Sequence, residues 1–208
     1  MVKRLIGLGL SALAAVGSVV GVRAATPEPR FSVVAKVGDI EIRHYGERIA
    51  AETLVSGADE QGRNDGFRRL AGYIFGGNVK RQSLEMTAPV QQAGRSIEMT
   101  APVGQAAKGA AAWRIQFFMP AEFKSIDDLP VPKDSRVQLR VAPAATYAVL
   151  VFSGARDGDA MKAKQRELLT RLAATPWRAS GEPVNWFYDP PWTLPMWRRN
   201  EVAVEVTK

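Results

Sequence analysis

The chain contains no cysteine. That lack excludes disulfides, thiolate metal sites, a cysteine nucleophile and the c-type cytochrome attachment motif. It also excludes a bacterial lipoprotein anchor, which needs a cysteine at the cleavage point. Histidine is nearly as scarce, with His44 the single imidazole. A Ser-His-Asp triad would have to use it, and no nucleophile-elbow sequence accompanies it. Structural zinc would need ligands that the chain lacks. Phosphate-cradling glycine motifs are absent, since Gly7 and Gly9 fall in an apolar leader. Carboxylate neighbours such as Asp127-Asp128 read as loop and capping residues. The composition therefore points away from an enzyme. Long basic tracts are missing too. The formal charge is +7, but Lys3, Arg4 and Arg23 precede residue 25, which leaves +4 for the rest. Only short pairs such as Lys80-Arg81 and Arg198-Arg199 occur, so no nucleic-acid groove is expected.

What is present suits a folded domain. With 208 residues and 46% hydrophobic composition, the chain can bury a core as one domain of ordinary size or two very small ones. Residues 1–24 read as a secretory signal peptide. Lys3 and Arg4 supply the positive start, Leu5 to Val22 is uncharged, and Val22-Arg23-Ala24 offers the cleavage spacing. The alternative is an uncleaved anchor, since eighteen apolar residues lie near the lower limit for a span. Residues 25–30 form a short tether, and 31–206 the folded domain. After cleavage no second membrane span is expected. The compartment would be periplasmic or secreted.

Along the domain, Phe31 to Lys36, Ile40 to Tyr45 and Arg48 to Val55 alternate as strands, with Gly38-Asp39 a tight turn. A helix is expected from Asp59 to Phe75, capped by Ser56. Its stripe is Phe67, Leu70, Ala71, Ile74 and Phe75, and Gly76-Gly77-Asn78 ends it. Ser83-Leu-Glu-Met-Thr-Ala-Pro-Val90 returns as Ser96-Ile-Glu-Met-Thr-Ala-Pro-Val103. Each copy reads as a short strand ending at proline, with Gly94-Arg95 turning between them. Strands follow at Trp113 to Phe118, Val137 to Val141 and Tyr147 to Phe152. A second helix spans Asp157 to Ala173, buried through Met161, Leu168, Leu169 and Leu172. Val202, Val204 and Val206 alternate against Glu201, Ala203 and Glu205 in the last strand. The order of strands, helix and strands thus occurs twice. It predicts an α+β fold of two pseudo-symmetric halves, as a barrel or facing sheets with outer helices.

Four motifs in order carry a family resemblance: Glu41-Ile-Arg-His-Tyr45, Tyr73-Ile-Phe-Gly-Gly-Asn78, the Met-Thr-Ala-Pro-Val segments, and Leu194-Pro-Met-Trp-Arg-Arg-Asn-Glu-Val202. The chain resembles the SOUL family of haem-binding proteins across roughly residues 31 to 206. The resemblance implies a distorted antiparallel β-barrel with two flanking helices, similar to the ligand domains of some multidrug-sensing regulators. It implies non-covalent binding of haem or another tetrapyrrole in an apolar surface cleft, with no fixed axial ligand.

It also implies a first helix near that cleft. Arg63 and Arg68 then become propionate candidates, and Phe67, Leu70 and Ile74 cleft or core residues. Met86 and Met99 read as core or cleft wall, with thioether ligation a lesser alternative. Trp192 to Trp197 either wraps the core or rims the cleft, and Arg198 could meet a propionate. His44 shares a strand face with Ile40 and Ile42, and could be an iron ligand or a plain hydrogen-bonding or solvent-exposed residue. The expected function is an exported, non-catalytic haem- or tetrapyrrole-binding protein. The alternatives are a binding module for another small amphipathic molecule and an envelope protein-interaction module. The sequence sets no oligomeric state.

Overall fold

The computed structural model describes residues 26–56, 60–95, 112–190 and 192–208. The leader, with its expected cleavage point, and the second Met-Thr-Ala-Pro-Val copy with Met99 lie outside the described residues. The elements are β1 (Phe31–Val37), β2 (Ile40–Tyr45), β3 (Arg48–Ser56), α1 (Glu60–Ile74), β4 (Val90–Arg95), β5 (Ala112–Phe118), β6 (Gln138–Ala142), β7 (Ala145–Phe152), α2 (Gly158–Leu172), β8 (Arg178–Ala179), β9 (Val184–Phe187) and β10 (Asn200–Thr207). The strands form one antiparallel sheet in the order β1-β2-β7-β10-β9-β4-β5-β3-β6, with β8 added to β10. It curls into a half-barrel flanked by two helices, the α+β architecture expected from the sequence.

The duplication is visible in that order. Read outward from the β4–β9 pair, one side runs β4, β5, β3 and β6, and the other β9, β10, β7 and β2. Each half contributes two strands, a helix and two more strands, and the first strand of each is exchanged. β2 pairs with β7 of the other half, from Ile40↔Leu150 to Tyr45↔Ala145. β6 reciprocates on β3, from Arg48↔Ala142 to Glu52↔Gln138.

Each helix covers its own half. Beneath α1 lie Leu70, Tyr73 and Ile74 with Ala51, Val55, Ile115 and Phe117. Beneath α2 lie Met161, Leu168 and Leu172 with Ile40, Ile42, Leu150, Val202 and Val204. Fully burying such aliphatic side chains is worth about 1.5–3 kcal/mol each before conformational entropy is set against it. The Asp157 side chain caps α2 by accepting from the Asp159 and Ala160 amides at 3.1 and 2.9 Å.

Several local expectations are corrected. Ser56 is the last residue of β3, α1 is described from Glu60, and the expected helix start at Asp59 lies outside the described residues. Phe75 is exposed, because the chain leaves the helix there; Leu169 is likewise only partly covered. Pro89, without an amide hydrogen, precedes a strand instead of closing one. Apart from a single bridge at Ser83, Ser83 to Pro89 is extended chain without a ladder, and β4 then runs through Gly94 and Arg95, which the sequence had suggested as a turn.

Candidate functional site

Alternation along the strands gives the sheet a second face, away from both helices. There Tyr45, Val149, Trp186 and Ala203 form a third buried cluster, with Tyr147 and Tyr188 packed against it. Ring centroids lie 5.5 Å apart for Tyr45–Trp186 and 5.3 Å for Tyr147–Trp186. Polar groups surround this aromatic floor. The Trp186 indole N–H donates to Gln91 at 2.8 Å, Gln91 to Gln116 at 2.7 Å, and Gln116 to Glu52 at 3.0 Å.

One charged chain crosses the same face. Glu201, with no exposed surface, accepts from Arg43 at 2.9 Å, from the Tyr188 hydroxyl at 2.8 Å and from Arg199 at 2.8 and 2.6 Å. Arg43 continues to Glu41 at 2.9 Å, and Arg199 to Glu28 at 2.9 Å. Burial opposes the charge on Arg43, but Glu201 and the Tyr45 hydroxyl outweigh it and hold the pKa above the ordinary arginine value. Burial, then the Glu201 charge, pushes the Tyr188 hydroxyl well above its usual range.

Arg48 differs. The rings of Tyr45 and Phe118 flank it, with centroids 4.6 and 4.5 Å from its guanidinium carbon. No carboxylate among the described residues ion-pairs with it, and its Nε is buried without a hydrogen-bond partner. Burial pulls its pKa below the ordinary arginine value, opposed by the Tyr147 and Tyr45 hydroxyls. Arg48 also stands between cavities. It lines one of about 410 Å³ walled by β3, β5, β6 and Tyr147, and one of about 570 Å³ that runs along residues 27–30 to Met119 and Phe123. Both are in the size range of small-molecule sites.

Most site residues inferred from the sequence lie elsewhere. Leu70 and Ile74 are core beneath α1, and Phe67 packs there edge-on to Phe117 at 5.3 Å. Met86 is half-buried against the same core. Arg63 reaches the Arg156 carbonyl at 3.4 Å and lies 5.7 Å from the Phe187 ring. Arg68 is exposed and pairs with Asp65 at 3.2 Å. Arg198 donates to the Thr193 carbonyl at 2.7 Å, and Trp192 is 68% exposed beside exposed Leu194, Met196 and Trp197. His44 is exposed on the helix side of β2, its Nδ1 3.1 Å from the Thr146 hydroxyl. None of these lines the two large cavities. The open-face residues Arg48, Tyr45, Tyr147, Trp186 and Glu201 are not among the candidates that the sequence offers. The only sequence signal for them was a strand face opposite the aliphatic one.

The motifs that carry the family resemblance act through this framework. Gly76, at φ 101°, and Gly77 close α1, with the Gly77 amide donating to the Gly72 carbonyl at 2.8 Å. Asn78 then pins the loop, donating to the carbonyls of Gln82 and Tyr73 at 2.7 and 3.2 Å. The Thr87 hydroxyl donates to the Phe118 carbonyl. Asn200 donates to the Gly154 carbonyl at 3.2 Å. Residues 26–205 match the sequence pattern described as SOUL heme-binding protein.

The chain belongs to the SOUL family. Curated SOUL-type relatives include the Heme-binding protein 2 of Mus musculus, 31% identical over 140 residues that cover 65% of this chain and 60% of that protein. The Heme-binding protein 2 of Homo sapiens is 30% identical over 138 residues, covering 66% and 61%. The chain thus matches about three-fifths of the length of these relatives. Among solved structures, the C-terminal domain of EcmrR superimposes with a TM-score of 0.59 at 12% identity, covering 81% of this chain and 97% of that one. An uncharacterized conserved protein from Listeria innocua gives 0.58 at 12% identity, with 83% and 94% covered. At such identities these likenesses speak for the fold alone. Among the described residues, no helix is long and apolar enough to cross a membrane, and no cluster of three or more His, Asp or Glu could hold a metal ion.

Proposed function

We propose that the protein is an exported, non-catalytic binder of haem or a related tetrapyrrole, held without covalent attachment. The observation that carries this reading is the pair of cavities that meet at Arg48, one on the open sheet face and one along residues 27–30 to Phe123, in a chain of a family described as heme-binding. The residues there fit the group's two halves. Phe118, Tyr45 and Tyr147 offer flat apolar surface for a macrocycle, and Arg48, Arg114 and Arg140 offer partners for propionates. Bound haem would bring a redox-active iron and strong visible absorption. The Met119 thioether lines the 570 Å³ cavity, whereas His44 is on the other face of the sheet.

Haemin titrated into the purified protein should shift and sharpen its main absorption band and saturate at a fixed stoichiometry. Unsaturable binding, no tighter than an unrelated apolar protein shows, would refute the reading. The His44→Ala variant should keep the same spectrum and bind within about 1 kcal/mol of the parent, the scale of one ordinary hydrogen bond. A changed spin state with an intact fold would instead make His44 the axial ligand.

The arginine-rich wall of the 410 Å³ cavity also suits a different amphipathic acid. Mass spectrometry of ligand carried through native purification separates these readings. Export is proposed from the basic start, uncharged core and Val22-Arg23-Ala24 spacing. Protein recovered from the cell envelope should begin at Ala25 on N-terminal sequencing, and Met1 retained in a membrane fraction would show an anchor instead.

A further inference from the structure

We infer that Arg48 is the anchor for an acidic group of the ligand, accepting a carboxylate in the 410 Å³ cavity on the open face of the sheet. The inference rests on the small-molecule binding reading for its setting, and on the side-chain geometry for the charge of the ligand.

Buried Arg43 and half-buried Arg199 on this face have their counter-ions within the fold, since they share Glu201. Arg48 has none, although it is largely enclosed. A guanidinium taken from water without a carboxylate is a standing cost, because its lost hydration is not replaced by an ion pair. Flanking aromatic rings offset part of that cost through their π faces. The Tyr147 hydroxyl meets the guanidinium as a neutral hydrogen-bond partner and brings no counter-charge, and a carboxylate is the planar acceptor that the N–H edge fits. The Nε, buried and without a partner, is one of the donors that such an acceptor would satisfy.

The surroundings have the same sign. Arg114 and Arg140 also line the cavity, and both lean on a single carboxylate, Glu52, at 3.6 and 3.5 Å. The Arg114 Nε too is buried without a hydrogen bond. Glu205 lines the far wall but forms no ion pair among the described residues. Three guanidiniums thus face two carboxylates around a space with aromatic walls at Phe118 and Tyr147. An amphipathic organic acid matches that arrangement: its ring or chain would lie on the aromatic walls and its carboxylate on Arg48. An amphipathic cation would meet net repulsion there.

The test compares the parent and Arg48→Gln with three probes: haemin, its dimethyl ester, which keeps the macrocycle and loses both carboxylates, and 1-naphthoate. The parent should bind haemin at least tenfold tighter than the ester. Arg48→Gln should bind haemin at least tenfold more weakly than the parent and lose the preference over the ester. Arg48→Lys, with the charge but not the planar fork, should fall between. Equal affinity of the parent for haemin and its ester would overturn the inference and leave the tetrapyrrole reading standing, and this comparison needs no variant to fold. If the parent binds neither porphyrin, the tetrapyrrole reading fails, and the naphthoate arm decides the inference. A shift of the Arg48 Nε–H resonance on adding 1-naphthoate would support it, and an unmoved resonance would overturn it.

Discussion

Glu201 is a single carboxylate that neutralises two guanidiniums and accepts a phenol, with no surface exposed. Replacing it with alanine would strand buried Arg43 and half-buried Arg199, each left with only a more exposed partner, Glu41 or Glu28. Breaking a buried ion pair in this way costs about 3–5 kcal/mol. Urea denaturation of Glu201→Ala should show a loss of that order, and a loss under 1 kcal/mol would mean that the two arginines find other partners. Glu201 was legible as a residue facing away from Val202, and the alternation of β10 is correct. Its burial was not legible. A carboxylate alternating with valines ordinarily faces water, and the groups that hold it include Arg43, distant in the chain, and Tyr188, across a strand turn. Arg48 is illegible for the same reason: nothing local distinguishes a strand-end arginine that will sit between two rings from one that will reach solvent.

At the level of the helix, α1 carries apolar residues at the expected period, yet its buried line runs through Gly62, Gly66, Leu70 and Tyr73. Two of those positions have no side chain and add nothing to an apolar stripe, so the sequence pattern extends the stripe to Phe75, which is exposed. Gly66 is there for proximity. A Cβ at Gly66 would sit 2.7 Å from Ile115 Cγ1 and 3.1 Å from Val55 Cγ1, both on the sheet beneath. A Cβ at Gly72 would meet nothing within 4 Å. The two alanine substitutions should therefore have opposite signs. Gly72→Ala gains helix propensity worth up to about 1 kcal/mol. Gly66→Ala gains the same propensity but forces the helix off a buried β-branched side chain, an overpacking cost of about 1–3 kcal/mol. Thermal melts should place Gly72→Ala above the parent and Gly66→Ala below it. If both rise, the α1–sheet gap has slack that the packing does not suggest.

At the scale of the whole molecule, the doubled order of strands and helix was legible, because hydrophobic period and turn residues are local signals. The pairing of the strands was not. The sequence of β2, Ile-Glu-Ile-Arg-His-Tyr, fits equally well beside β3 or β7, and only the assembled sheet places it against Ala145–Phe152. The candidate site shares that fate. Its walls come from β3, β5, β6 and β7, drawn from both halves, so no single stretch of sequence outlines it.

The exchanged strands also set an order in time. During synthesis β2 emerges early, and its inner edge has no neighbour until β7, about a hundred residues later, has left the ribosome. β3, likewise, waits for β6. Contacts this distant along the chain are slow to close. The first half therefore cannot finish folding while it is being made. A chain held open in this way stays threadable, which is the state that the proposed export would require until the chain has crossed a membrane.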